Sequence, residues 1–343
     1  MKHFAYFPLI TLLLLIQTQS ATASFNPIAW LLNKDEAPKL EPLYAVSESE
    51  ERDAARLLDK GIAKFDNGSY LSAERLFKKT IRNYPTTAAA GEALYLRGRI
   101  SMQKARWIKA FELFQELISK YPNYPEINQV IAAQFDCASA LMNGARGRIF
   151  VIIPTFKQYA VAISEFETIV SNAPYGDYAT LALMNIADLA ERRKERDLAI
   201  DALDRLINYY PDSELAPNAF SKLAGIYASL VNGNEYDQGA TRQAISYYED
   251  FLALFPDNES VGEVEANLRK MENLLSSSRL TLGDFYYLHR NNNTAALIFY
   301  NEAITIAPDS EAAERARKQI HNIESGVRPF KGSRFFRKIL FVN

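Results

Sequence analysis

An alanine recurs six times along this chain, each time twelve residues before a proline. A bulky ring or leucine stands eight residues before that proline and a branched aliphatic residue four before it. The alanines are Ala73, Ala110, Ala162, Ala199, Ala244 and Ala296, and their prolines are Pro85, Pro122, Pro174, Pro211, Pro256 and Pro308. Phe77, Phe114, Phe166, Leu203, Tyr248 and Tyr300 hold the bulky position, followed by Ile81, Ile118, Val170, Ile207, Leu252 and Ile304. Spacings of four place the three side chains on one helix face, and proline then stops the helix. The small alanine admits a neighbouring helix while the bulky residue fills the space beyond it. One such unit cannot bury its apolar face alone, so six copies imply a stacked-helix solenoid, a surface suited to holding other proteins.

The units resolve into helix pairs. The first spans roughly 53–66 and 69–83 and turns at Asn67-Gly68, a pair suited to a left-handed turn residue. The second spans roughly 87–104 and 107–120. The prolines of these two repeats lie 37 residues apart, near the tetratricopeptide period of about 34 with a lengthened loop. Repeat four returns to 37, whereas repeats three and six arrive after 52 and repeat five after 45, so these carry insertions or longer helices. Upstream, Leu57 and Gly61, Leu94 and Gly98, and Leu183 and Ala187 stand 28 and 24 residues before their prolines, where a small residue permits close approach within the pair. The expected fold is therefore an all-α tetratricopeptide superhelical solenoid of about six helix pairs over 51–325. Segment 144–157, with Arg146 and Arg148 before an apolar run, is an insertion in repeat three that is strand-like or packed, and the first helix of repeat six extends over 261–290.

The flanks read differently. Residues 1–23 have the form of an export signal: Lys2, an apolar run from Phe4 to Ile16, then Ala21-Thr22-Ala23 as a small-x-small cleavage site. Residues 24–50 read as a tether with an apolar patch at Phe25–Leu32, and its acidic Glu48–Glu51 end also suits a first helical turn. The tail, 326–343, is basic and aromatic, with Arg334, Phe335, Phe336 and Arg337 as contact candidates for an anionic lipid surface or a partner. The formal charge of −2 gives no global basic excess for nucleic acid, and the three histidines are too scattered for a metal site. The single cysteine, Cys137, lies in an apolar helical stretch and reads as buried and structural. Neither a Gly-rich phosphate loop, a nucleophile elbow nor a His-Glu zinc motif occurs, so neither an enzyme nor a cofactor is expected.

Four segments carry a family resemblance. Gly68-Ser-Tyr70-Leu-Ser-Ala73-Glu-Arg-Leu-Phe77 ends in Tyr84-Pro85, and Ala244-Ile-Ser-Tyr-Tyr-Glu-Asp-Phe251-Leu-Ala-Leu-Phe-Pro256 follows. More specific are Arg279-Leu-Thr-Leu-Gly283-Asp-Phe-Tyr-Tyr287 and Ala295-Ala296-Leu-Ile-Phe-Tyr300, in that order. Together these resemble the BamD (YfiO) family over about residues 50–320. The resemblance implies a periplasmic scaffold at the outer membrane, with N-terminal repeats receiving an extended segment of an unfolded outer-membrane protein. Its C-terminal repeats would dock on the POTRA domains of a BamA-like barrel-forming subunit, with peripheral contact to the outer membrane. Two departures stand out: the signal region has no cysteine to acylate, and six repeat units occur where the best-known members have five. Tetratricopeptide groove positions fall on Glu92, Tyr95, Arg99, Met102 and Gln103 in repeat two, and on Leu181, Met184, Asp188, Glu191 and Arg192 in repeat four. Tyr95 and Arg99 suit a peptide by ring stacking and carboxylate pairing, and the same positions suit bridges between repeats or solvated faces. A periplasmic adaptor of the CpoB (YbgF) type, or a secretion or pilus scaffold, is the alternative, although residues 24–50 lack the sustained heptads of the former.

Overall fold

The computed structural model describes residues 46–144, 148–149, 153–154, 158–231 and 238–327. The signal segment 1–23, most of the tether, most of the 144–157 insertion and the tail from 328 onward lie outside the described residues. Thirteen α-helices are described: α1 (Glu48–Asp66), α2 (Tyr70–Asn83), α3 (Ala88–Gln103), α4 (Trp107–Lys120), α5 (Ile127–Met142), α6 (Tyr159–Asn172), α7 (Asp177–Arg193), α8 (Arg196–Tyr209), α9 (Ala216–Leu230), α10 (Gln238–Leu254), α11 (Val261–Asp284), α12 (Asn293–Ile306) and α13 (Glu311–Glu324). They form six consecutive pairs, α1/α2 to α11/α12, and α13 closes the array by covering the last pair with Ala312, Ala313 and Ala316. The fold is a tetratricopeptide solenoid. Where like helices of neighbouring repeats meet, they are first helices: α1 on α3, α5 on α7, and α11 reaching the closing α13.

Helix α1 begins at Glu48, inside the segment read as tether, because Glu48, Glu50 and Glu51 occupy its first turn, where the helix dipole favours negative charge. The second helices are uniform. Five of them span fourteen residues and end two before the repeat proline. Their six alanines are fully buried, as are Phe77, Phe114, Phe166, Leu203 and Tyr300, with Tyr248 nearly so. Two of the residues preceding a repeat proline also stitch repeats together. The Tyr121 hydroxyl donates to the Pro85 carbonyl at 2.7 Å, and the Tyr210 hydroxyl to the Pro174 carbonyl at 2.6 Å.

In repeats one, two and six a glycine of the first helix faces the bulky residue of its own second helix. A Cβ built on Gly61 would lie 2.5 Å from the Phe77 ring, one on Gly98 2.3 Å from Phe114, and one on Gly283 2.5 Å from Tyr300. The first two pairs are 16 residues apart, the third 17. The extra residue is absorbed by a π-helical stretch, Phe285–Arg290, which continues α11 and widens the helix by one residue per turn. The first helix of repeat six thus runs from 261 to 290, as the spacing predicts.

Turns within the pairs end in a left-handed residue: Gly68 at φ +71°, Ala105 at 52°, Lys194 at 62° and Asn291 at 52°. In three of them the next amide reaches five residues back, Ser69 to Lys64, Arg106 to Ser101 and Glu195 to Ala190, satisfying otherwise orphaned carbonyls. Repeats three and five carry their insertions at this turn. In repeat three a two-residue antiparallel ladder pairs Arg148 with Pro154 and Ile149 with Ile153, consistent with the strand-like reading. Cys137 is buried in α5, and burial pushes its thiol well above the usual range, which disfavours the reactive thiolate.

Candidate functional site

A cleft with a cavity volume of about 620 Å³ opens on the first two repeats. Its walls come from the start of α1 (Glu51, Ala55, Leu58), the turn into α3 (Thr86–Ala89) and the loop between α4 and α5 (Tyr121–Glu126). That loop reads Tyr121-Pro122-Asn123-Tyr124-Pro125, so the repeat's own Tyr-Pro is followed at once by a second. The prolines restrict the backbone and present both rings toward the first helices. Tyr121 is held by its bond to Pro85, and Tyr124 donates to Glu92 at 2.6 Å. Burial and the Glu92 carboxylate raise the Tyr124 phenol far above its ordinary range, so it remains a donor at any physiological pH. Across the entrance, the Glu51 carboxylate accepts the Ala88 amide at 3.1 Å and so caps α3 from the neighbouring helix.

The strip continues along α3. Tyr95 lies between rings, 5.9 Å from Phe114 and 6.2 Å from Tyr124 centroid to centroid. Arg99 donates to the Tyr95 hydroxyl at 3.0 Å and sits 5.8 Å from its ring centroid, a cation–π contact. Glu92, Tyr95 and Arg99 therefore form one row, one helical turn apart, with Tyr124 closing its end. Gln103 is exposed one turn further, and Met102 is half-buried against the core. An apolar floor, prolines and rings, flanked by Glu51, Glu92 and Glu126, can hold an extended segment by stacking and by hydrogen bonds to its backbone.

Repeat four differs. Asp188 and Glu191 both bind Lys222 of α9, at 2.7 and 2.8 Å, tying its first helix to that of repeat five. Met184 is buried, Leu181 partly exposed, and Arg192 exposed. Of the groove positions, Glu92 lines the cleft, Tyr95 adjoins it only through the Tyr124 ring, Arg99 lies on Tyr95 beyond the lining residues, and Asp188 and Glu191 form a bridge. The tail candidates Arg334, Phe335, Phe336 and Arg337 lie outside the described residues. Tyr121 and Tyr124 are not among the groove positions read from the sequence; the doubled Tyr-Pro is the signal that could have found them. The two most specific resemblance segments also meet: Gly283 faces Tyr300, whose hydroxyl donates to Asp284 at 2.8 Å, and Tyr286 stacks on Phe299 at 5.4 Å.

A model of the YfiO family, described as an outer membrane lipoprotein, matches residues 154–325, and a tetratricopeptide-repeat model matches 58–125. An outer membrane protein assembly factor BamD of Caulobacter vibrioides is 23% identical over 137 residues, 40% of this chain and 44% of that protein. The BamD of Rickettsia prowazekii is 24% identical over 154 residues, 45% of this chain and 61% of that protein. The chain thus spans about half the length of the curated relatives it matches. Among solved structures, a thermophilic tetratricopeptide protein of Thermus thermophilus is 19% identical, covering 64% of this chain and 98% of its own, with a TM-score of 0.29.

Proposed function

The chain belongs to the YfiO family, and from that premise we propose that it is a non-catalytic scaffold for assembling β-barrel proteins into the outer membrane, working from the periplasm as a peripheral component. Its first two repeats receive an extended segment of an unfolded outer-membrane protein in the cleft lined by Tyr121 and Tyr124. Its later repeats dock on the POTRA domains of a BamA-like barrel-forming subunit.

The observation that carries this reading is the proline-and-tyrosine cleft, placed on the repeats that lie outside the 154–325 family match. It leaves the family-like half of the array free for a resident partner and gives the other half a site of its own. Among the described residues no helix is long and apolar enough to cross a membrane, and no cluster has metal-binding composition. Cys137 is buried in α5, so it cannot carry an acyl anchor.

The test is affinity purification of the tagged chain from detergent-solubilised envelopes of its host, with crosslinking and mass spectrometry. The expected result is a POTRA-bearing barrel protein crosslinked to repeats four to six, and unfolded outer-membrane proteins crosslinked near Tyr124. Recovery of cell-wall or division proteins in their place would move the function to the CpoB-type adaptor, and secretion or pilus components would point to that machinery.

A further inference from the structure

The repeats serve as internal controls for one another, and one position breaks their pattern. Nine residues before the repeat proline stand Leu76, Leu113, Ala202, Tyr247 and Phe299 in five repeats, and Glu165 in the third. The position belongs to the packed face: Leu113 and Ala202 are buried and the other three half-buried. Glu165 is itself only 6% exposed, and its Oε2 has no hydrogen-bond partner. Burying a carboxyl without a partner is costly, and an orphaned buried acceptor in a native fold requires a reason.

The reason lies in the cavity that Glu165 lines, about 360 Å³ between α4 and α6. Phe111 and Val161 give it apolar sides, Glu112, Ser164 and Thr168 add oxygen atoms, and Gln115 completes the wall. No basic residue is among its described lining residues. Gln115 is fixed in place by a part-buried amide triad, accepting from the buried Gln134 at 2.9 Å and from Asn172 at 2.6 Å. Such a pocket, with hydrocarbon walls around a stem and carboxyl oxygens at its end, matches a long side chain that ends in a cation.

We propose that this cavity receives the cationic side chain, arginine or lysine, of a protein partner lying across the second helices of repeats two and three, with the Glu165 carboxylate as its counter-ion. The surface is separate from the cleft on the first repeats, and the proposal does not depend on the function assigned there.

The surrounding charges set how binding couples to protons. Glu112 of α4 faces the cavity and is paired on the exposed rim with Lys109 at 2.9 Å. From α5, the Cys137 thiol lies close enough to feel the Glu165 charge, and Asp136 acts on that thiol. Burial first, then the charge of Glu112, pushes the Glu165 carboxyl up to about 8. The empty cavity therefore holds a protonated acid near neutral pH, and an arriving cation expels that proton.

The experiment is a carboxyl-detected NMR titration of the full chain carrying ¹³C-glutamate, the Glu165 resonance being identified by its loss in Glu165→Gln. The probes are N-acetyl-Gly-Arg-Gly-amide and its lysine counterpart, with the glutamine peptide as control. The expected result is saturable binding of the cationic peptides that lowers the Glu165 pKa. Apparent affinity should rise about tenfold per pH unit below a plateau near 8. Glu165→Gln should abolish the binding and its pH dependence, and Glu112→Gln should retain most of it. A Glu165 resonance indifferent to both cationic peptides overturns the proposal without reference to any variant, as does undiminished binding by Glu165→Gln.

Discussion

Replacing Gly98 by alanine adds one methyl group where the Phe114 ring already stands. The new Cβ would lie 2.3, 2.6 and 2.9 Å from three carbons of that ring, which is itself fully buried. Carbon contacts settle at about 3.5–4.0 Å, so the ring must retreat by roughly 1 Å into a packed interior. Overpacking of this kind costs about 1–3 kcal/mol. Alanine's better helix propensity returns up to about 1 kcal/mol. The expected net loss is about 1–2 kcal/mol. Urea denaturation followed by tryptophan fluorescence in a Trp30→Phe background measures it, since the remaining Trp107 is at the start of α4. The chain itself supplies the compensated form: at the equivalent positions of repeat four stand Ala187 and Leu203, both fully buried. Gly98→Ala combined with Phe114→Leu should therefore be more stable than the two single losses summed, by about 0.5–3 kcal/mol, the coupling expected of residues in contact. Additivity within about 0.5 kcal/mol, or a Gly98→Ala variant as stable as the parent, would refute the facing-pair argument.

Ala105 and Lys194 occupy left-handed turn positions that glycine fills in repeat one. Left-handed backbone costs an ordinary residue about 1–2 kcal/mol, partly offset by glycine's unfolded-state entropy, so Ala105→Gly and Lys194→Gly should each stabilise by about 0.5–1 kcal/mol in thermal melts. Tyr121→Phe and Tyr210→Phe each remove one bond between repeats and should cost about 0.5–1.5 kcal/mol, with hydrogen exchange rising at the repeat junction; unchanged exchange would count against the stitching role. The folded pKa of Glu165, about 8, lies above the ordinary carboxylate value, so its contribution to stability is full below about 4.5, declines as pH rises and is lost above 8. Melts from pH 5 to 9 should show the parent losing on the order of 4 kcal/mol relative to Glu165→Gln, and parallel curves would contradict the burial argument.

Helix pairs were legible because their signals are local. Alanine, ring and aliphatic residue share one helix within twelve positions, and proline ends it, so the second helices could be read residue by residue. Asn67-Gly68 announced its own turn. The turns at Ala105 and Lys194 did not, because stacking forces those residues into a conformation their side chains disfavour. The π-helical stretch was hidden for a similar reason: its trace is a single extra residue between Gly283 and Tyr300, visible only once Gly61 and Gly98 are seen to face Phe77 and Phe114. Asp188 and Glu191 occupy groove positions by spacing, but Lys222, 31 and more residues away, claims both. That outcome depends on how repeat four meets repeat five, which no local pattern records.

The two edges of the array obey different constraints, and this bears on where function can reside. On one edge the second helix of each repeat turns into the first helix of the next, and here proline, the preceding residue and the buried alanine fix the geometry of stacking. Lengthening that turn would separate repeats that must touch. The cleft forms on this edge, from the turns after α2 and α4; the latter has six residues, as do the turns after α8 and α10, and its second Tyr-Pro is what sets it apart. On the opposite edge the chain turns within a pair, and the pair is already held by contacts such as Gly98 on Phe114. Extra residues there leave stacking intact, and both insertions, between α5 and α6 and between α9 and α10, are at that turn. Glu165 is on α6, the helix that follows the longer insertion. The array therefore takes its long insertions at one edge and distinctive side chains at the other, and its candidate functional residues stand where a repeat departs from its neighbours.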